Sequence, residues 1–404
     1  MRIARINPSK LEGSIEVPPS KSLLHRGLVC SALAGDLRLC TLPDPREVSA
    51  DIAATRDCLR RIIDARESGG IAAINCGESG TTLRLLVPVL AALGIESRIT
   101  GEGRLPQRPL AEYKEAFKGH GTRLDFPGDE KFLPLSISGK LIPGAFFLPG
   151  NVSSQYVSGL LLALPLLDRD SELVITSRLE SEPYVDMTLD VMRHFGVTAK
   201  RTANGYSVPG SQRYSATEQY KAEPDFSQAA FWLLAEYLGH SVRVETLPQK
   251  TSQGDSAFTS MLAELKNGSE EDCVIDVANT PDLVPALAAA AAASPRTTHI
   301  VNAARLRLKE SDRIESTAKM LRAFGVKADA LTDGLVVHPR ALPFEACTVD
   351  GANDHRIVMT AAIMATRANG PVTINGCNAI TKSYPTFFDH FRQAGGSTNE
   401  FDVG

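Results

Sequence analysis

The chain is short of most features that would assign it at a glance. Its seven cysteines (Cys30, Cys40, Cys58, Cys76, Cys273, Cys347 and Cys377) form no C-x-x-C pair and no Cys/His cluster. That argues against structural zinc or any other metal, and for reduced core cysteines in a cytoplasmic protein. Aromatic residues make up 6% of the 404 positions, and 43 Lys and Arg stand against 47 Asp and Glu, for a net charge of −4. A nucleic-acid binder needs the basic excess and the stacking rings that are missing here. Apolar runs such as 285–294 fall well short of the ~18 residues of a membrane span. The opening MRIARINPSKLEGSIEV has no apolar stretch of signal-peptide length. What remains is an ordinary globular composition, 43% hydrophobic and 22% charged, on a chain long enough for two domains.

Internal repetition is the main feature present. Six times a short polar or capping residue leads into an apolar helix, a β-branched strand and then an amphipathic helix. The apolar helices follow Ser20, Ser79, Ser153, Asp225, Thr280 and Asp354. They are hydrophobic nearly all round, which predicts burial rather than a surface position. The strands after them read LRLCTL, ESRITG, ELVITS, VRVETL, HIVNAA and VTINGC. Spacings of 59 and 55 residues after Ser20 and Asp225, against 72 to 74 elsewhere, leave room for only one strand before the next unit. The shortened units are therefore the first and the fourth, and the chain divides into two halves of three α/β repeats.

Chemistry concentrates at the helix starts. A helix N-terminus leaves about four unpaired N–H groups and carries roughly half a positive charge, so converging starts make an anion site. PPSKSLLHR supplies Lys21, Ser22 and Arg26; ESGTTLR supplies Ser79, Gly80, Thr81 and Arg84; GNVSSQ supplies Ser153, Ser154 and Gln155; NDHR supplies Asp354, His355 and Arg356. Between them lie PQRPL with Arg108, LKESDR with Lys309, Glu310 and Arg313, and ITKSYP with Lys382. Each piece alone also has a blander reading. A K-E-x-x-R patch fits a solvated helix face, Ser-Gly-Thr fits plain capping, His355 fits a satisfied core histidine, and Arg84 fits a partner for an acid. Recurrence at equivalent repeat positions favours the functional reading.

At these residues the chain resembles the EPSP synthase (3-phosphoshikimate 1-carboxyvinyltransferase) family over essentially its whole length. PPSKSLLHR, ESGTTLR, RLPQRP, GNVSSQ, SEPYVD, NTPD, RLKESDR, NDHR and TKSYP all fall in the family's order. The resemblance implies an α/β (α+β) fold, a two-domain inside-out α/β barrel of six βαβαββ units, with the active site in the cleft between the domains. Domain one would cover 20–223, and domain two 1–19 with 224–404. It further implies transfer of the enolpyruvyl group of phosphoenolpyruvate to the 5-hydroxyl of shikimate 3-phosphate, without cofactor, by a monomer. Shikimate 3-phosphate would meet Ser22, Arg26, Ser153, Ser154, Gln155, Ser181, Asp282 and Lys309, with Tyr184 close by. Phosphoenolpyruvate would meet Lys21, Gly80, Arg108, Gln155, Arg313, Arg356 and Lys382, with Gly80 where the inhibitor glyphosate packs. The catalytic set would be Asp282 as base toward the hydroxyl, Glu310 as proton donor to the methylene carbon, and Lys21 at the departing phosphate.

Two rivals stand beside this reading. One is the sister transferase acting on UDP-N-acetylglucosamine, which usually carries a cysteine or aspartate where this chain has GEGRLPQRP. The other is a non-catalytic anion-binding relic, against which the retained Asp282 and Glu310 argue. The sequence also departs from the family's frequent residues at Glu78, Leu85 and Arg305.

Overall fold

The computed structural model describes residues 2–128, 131–267 and 271–403. The chain forms two compact units. A terminal unit comprises Met1–Ser20, Asp44–Ser49 and Glu223–Gly404, and an inserted unit comprises Lys21–Pro43 and Ala50–Ala222. Single crossings near residues 20 and 223 do not anticipate the six-residue segment Asp44–Ser49, which groups with the chain termini.

Twelve α-helices are present among the described residues, and they alternate in character. In the inserted unit α1 (Lys21–Leu33), α3 (Gly80–Leu93) and α5 (Ser154–Ala163) are buried on nearly every side. Their counterparts in the terminal unit are α7 (Phe226–Tyr237), α9 (Val284–Ala292) and α11 (His355–Ala365). Every residue of α9 is buried, and its run of alanines is small enough to admit close neighbours. Between them come α2 (Ala50–Ser68), α4 (Ala111–Ala116), α6 (Glu182–His194), α8 (Phe258–Lys266), α10 (Arg313–Ala323) and α12 (Phe387–Gln393). In α10 the buried set Arg313, Ile314, Thr317, Ala318, Met320 and Leu321 makes a stripe at helical spacing, as an amphipathic helix on a core requires.

The sheets repeat one design. Strands β3 (Ala72–Asn75), β4 (Ser97–Thr100), β5 (Thr122–Asp125) and β6 (Leu135–Gly139) lie in the order β3-β4-β6-β5. A parallel pair is thus extended by an antiparallel hairpin. The same order recurs for β7 (Ala145–Leu148), β8 (Ser171–Ile175), β9 (Lys200–Thr202) and β10 (Gly205–Val208). It recurs again for β12 (Cys273–Asp276), β13 (Thr298–Val301), β14 (Ala328–Leu331) and β15 (Gly334–Val337). The last sheet takes β16 (Thr348–Asp350), β17 (Val372–Asn375) and β18 (Ser397–Asp402) from the C-terminus, and β1 (Arg2–Asn7) from the other end of the chain. β1 fills the place of the fourth strand, antiparallel to both β17 and β18.

The two short units carry the smallest sheets. The fourth has only the parallel pair β2 (Glu12–Ile15) and β11 (Ser241–Val244). In the first, the LRLCTL strand expected from sequence is instead a 3-10 turn at Leu37–Leu39, capped by Asp36, with a single bridge from Cys40 to Tyr220. Strand propensity there finds no ladder long enough to hold it, and the Asp36 carboxylate offers the backbone a local alternative.

One buried helix breaks a local rule. Pro88 sits inside α3, where it cannot donate to the Arg84 carbonyl one turn earlier. The Tyr113 hydroxyl donates to that carbonyl instead, at 2.6 Å. A Cβ on Gly159 of α5 would collide with both the carbonyl and the hydroxyl, so the glycine is what lets α5 lie against this repair.

Candidate functional site

In the inserted unit, side-chain hydrogen bonds draw together the starts of the buried helices. Ser79 and Ser153 cap α3 and α5, accepting from Thr82 N and Gln155 N. Lys21 opens α1 and donates to the Asp51 carboxylate of α2 at 2.7 Å. The Gln155 side chain is held at both ends, its carbonyl taking a bond from Arg84 at 3.0 Å and its amide donating to Thr81 at 2.8 Å. The partner of Arg84 is therefore an amide and the Pro109 carbonyl, with the Tyr156 ring 5.2 Å away. Arg108 is buried with its guanidinium on Gly80: a Cβ there would lie 2.5 Å from Nη1. Only glycine leaves that guanidinium its place beside the helix start.

Arg26 is the most enclosed of this set. It donates to Thr188 at 2.7 Å, to the Ser22 carbonyl at 2.6 Å, to the Tyr184 carbonyl at 2.8 Å and to Ser158 at 3.3 Å. Burial lowers its pKa to about 10. Arg26 thus ties α1 to α5 and α6. Ser181, at the start of α6, is buried and adopts φ 53 with no cap bond of its own. A serine held in the left-handed region costs roughly 1–3 kcal/mol, a strain typical of functional positions.

In the terminal unit the corresponding starts are joined by charge. Arg313, only 1% exposed, holds three carboxylates: Asp354 at 2.9 Å, Asp282 at 2.9 Å and Glu310 at 2.7 Å. Asp282 also meets Arg356 at 2.8 Å and Lys309 at 3.6 Å. Burial would raise the Asp282 pKa, but Arg356, Lys309 and Arg313 together hold it well below the usual carboxylate range. The Lys309 pKa is lowered as well, to about 8, but from the other cause: burial outweighs the pull of Asp282. Asp354 caps α11 and also accepts from Ser311. Lys382 is buried and donates to the Asn353 carbonyl at 2.8 Å, with Ala352 and Asn353 both at φ 51. Asp255 is buried against Ser227, and burial followed by the charge of Asp282 pushes its pKa up to about 6.

The comparisons with known proteins decide the family. The family model for EPSP synthase (3-phosphoshikimate 1-carboxyvinyltransferase) matches residues 6–391. The chain belongs to the EPSP synthase family. Proteins called 3-phosphoshikimate 1-carboxyvinyltransferase in Clostridium kluyveri and Clostridium acetobutylicum are each 38% identical to it, with 100% of both chains covered. Among solved structures, an EPSP synthase of Acinetobacter baumannii superposes with TM-score 0.77 at 24% identity, covering 100% of both chains. The enolpyruvyl transferase NikO of Streptomyces tendae gives 0.73 at 15% identity, covering 100% of this chain and 99% of its own. At those identities the two structures speak for the two-domain α/β fold.

Within this family the expected site residues divide between the units. Lys21, Ser22, Arg26, Gly80, Arg108, Ser153, Ser154, Gln155, Ser181 and Tyr184 lie in the inserted unit, and Asp282, Lys309, Glu310, Arg313, Arg356 and Lys382 in the terminal unit. The solvated-face reading of K-E-x-x-R fails, since Arg313 is buried among carboxylates. Sequence reasoning missed Asp51, His25, Thr55 and Asp255. Asp51 carried one signal, an acid in the first turn of a helix; His25 and Thr55 are single polar residues on otherwise apolar or amphipathic helices, and Asp255 lies in the polar stretch TSQGDS. Of the departures, Arg305 is buried and donates to the Ala278 carbonyl, Glu78 lies where a Cβ on Gly103 would strike it, and Leu85 is a core residue.

Proposed function

We propose that the protein transfers the enolpyruvyl group of phosphoenolpyruvate to the 5-hydroxyl of shikimate 3-phosphate and releases phosphate. Shikimate 3-phosphate is held by Ser22, Arg26, Ser153, Ser154, Gln155, Ser181, Asp282 and Lys309, close to Tyr184. Phosphoenolpyruvate is held by Lys21, Gly80, Arg108, Gln155, Arg313, Arg356 and Lys382. Arginine suits the carboxylate and phosphate bidentately, and lysine acts as a point charge.

The observation that carries the reading is the charge cluster on Arg313, which sets two carboxylates in different surroundings. Asp282 is held ionised, the state a base must be in. In the free protein its three cationic partners keep it weak. An anionic ligand that takes over Arg356 releases Asp282 from one of them and raises its basicity toward the 5-hydroxyl. Glu310 gives a proton to the methylene carbon as the hydroxyl oxygen adds to the neighbouring carbon. The tetrahedral adduct then gives a proton of its new methyl group back to the Glu310 carboxylate and expels phosphate, with Lys21 stabilising the leaving group. The proton taken by Asp282 leaves with the phosphate, and the enol ether remains. No metal or organic cofactor enters any step. The same reading makes the protein a cytoplasmic monomer, in keeping with its free cysteines. Among the described residues no helix is long and apolar enough to cross a membrane.

The test is product analysis with purified protein, phosphoenolpyruvate and shikimate 3-phosphate in metal-chelated buffer. Phosphate release with an enolpyruvyl product supports the assignment. Turnover with UDP-N-acetylglucosamine instead moves it to the sister reaction, and silence with both sinks it. Asp282→Asn and Glu310→Gln should each lower kcat at least a hundredfold. Near-normal turnover in both would refute the catalytic roles.

A further inference from the structure

A buried chain of hydrogen bonds in the inserted unit has no part in the roles assigned above. It runs from His25 of α1 through Thr55 of α2 and Thr82 of α3 to Ser79, the residue before Gly80. His25 Nδ1 lies 2.7 Å from Thr55 Oγ1, Thr55 Oγ1 lies 2.6 Å from Thr82 Oγ1, and Thr82 Oγ1 donates to Ser79 Oγ at 2.7 Å. All four side chains are buried. Each hydroxyl has one hydrogen, so the chain has a direction. Thr82 spends its hydrogen on Ser79 and must accept from Thr55. Thr55 gives its hydrogen to Thr82 in preference to the Asp51 carbonyl, which is farther at 3.2 Å, and must therefore accept from His25. That requires the hydrogen of His25 on Nδ1. His25 Nε2 then carries only a lone pair, and it has no partner among the described residues. Burial, and then the charges of Lys21 and Arg26, hold the imidazole neutral by pushing its pKa well below the usual value.

At the far end Ser79 Oγ accepts twice, from Thr82 Oγ1 and from Thr82 N at 3.2 Å. Its own hydrogen has no acceptor among the described residues. We propose that His25 is a positioning residue that, through Thr55 and Thr82, presents the Ser79 hydroxyl hydrogen to an oxyanion seated beside Gly80 at the start of α3. The ligand group is a carboxylate or phosphate oxygen, adding a side-chain donor to the helix N-terminus. The role rests on the reading that phosphoenolpyruvate binds at Gly80.

Two measurements test it. Nitrogen-15 NMR of the intact protein should find His25 as the Nδ1–H tautomer and should show its shifts respond to phosphoenolpyruvate. An Nε2–H tautomer, or indifference to the ligand, overturns the proposal. Thr55→Val removes the relay at nearly constant volume, and should raise KM for phosphoenolpyruvate about tenfold, the worth of one hydrogen bond to a charged group. KM for shikimate 3-phosphate should stay within about twofold, and Thr55→Ser should restore the wild-type value. Equal rises in both KM values, or a fall in kcat alone, would mark a general packing defect and defeat the idea. Should Thr55→Val fail to fold, the tautomer in the wild-type protein decides the matter. A wild-type protein without turnover defeats the proposed function first, and the response of His25 to phosphoenolpyruvate still tells whether an anion is read here.

Discussion

At the scale of single residues, the site is built from groups that each need a particular neighbour. Gly80 leaves room for the Arg108 guanidinium, and a methyl group would push it off the start of α3. Gly80→Ala should raise KM for phosphoenolpyruvate about tenfold while leaving the unfolding midpoint nearly unchanged, because the displaced atoms end a flexible side chain. Steady-state kinetics beside a thermal melt separates the two. Lys309 sits at about 8, so the free protein loses this charge as pH rises past that value. An anion bound there favours the charged form, so affinity for shikimate 3-phosphate should fall toward tenfold per pH unit above 8 and stay flat below 7. Titrations at pH 7, 8 and 9 show the slope, and Lys309→Met should abolish it.

At the scale of elements, α3 shows how a rule broken locally is mended by a distant segment. Pro88 strips a donor from the helix, and Tyr113 of α4 supplies one to the stranded Arg84 carbonyl. Tyr113→Phe should therefore cost about 1–3 kcal/mol, since a buried carbonyl goes unsatisfied. Adding Pro88→Ala returns the backbone donor, so the double variant should recover part of the loss, by a coupling of at least 0.5 kcal/mol in urea denaturation. Strict additivity would mean that the hydroxyl is not a repair. The 3-10 turn at Leu37–Leu39 makes the converse point: a segment with strand composition does not become a strand where its sheet has no further strand to offer.

At the scale of the whole molecule, the two chain ends close one sheet, β1 lying between β17 and β18. His240 secures the segment that follows β1: its Nδ1 accepts from Leu11 N at 3.1 Å, and its Nε2 meets the Thr366 hydroxyl at 2.8 Å. Burial, with Arg367 and Lys10 nearby, lowers its pKa to about 4. Protonation would destroy the acceptor that Leu11 uses. Between pH 6.5 and 4 the unfolded chain binds this proton and the folded one does not, so stability falls as pH falls through that window. From pH 6.5 to 5 the loss should be about 1 kcal/mol, the full linkage reduced for solvent screening, and His240→Gln should flatten the urea-denaturation profile there.

The sequence alone determined the six buried helices, the caps Ser79, Ser153, Asp225 and Asp354, the two shortened units and the family, because each of these is written in local pattern. The expected cap Thr280 makes no cap bond, a 3-10 turn at Pro281–Leu283 coming between it and α9. Apolar residues all round a helix demand burial wherever the chain goes, and capping acts over three residues. Nine short motifs in one order also survive without any knowledge of contacts. The tertiary structure alone decided who meets whom. Arg84 fitted a partner for an acid until α5 brought the Gln155 amide to it instead. The K-E-x-x-R patch had the pattern of a solvated face until Asp282 and Asp354, 31 and 41 residues away from Arg313, closed around it. The relay from His25 to Ser79 joins three helices through Thr55 and Thr82, neither of which the sequence motifs single out. Charges and hydroxyls take their character from partners distant along the chain, and only folding supplies those partners.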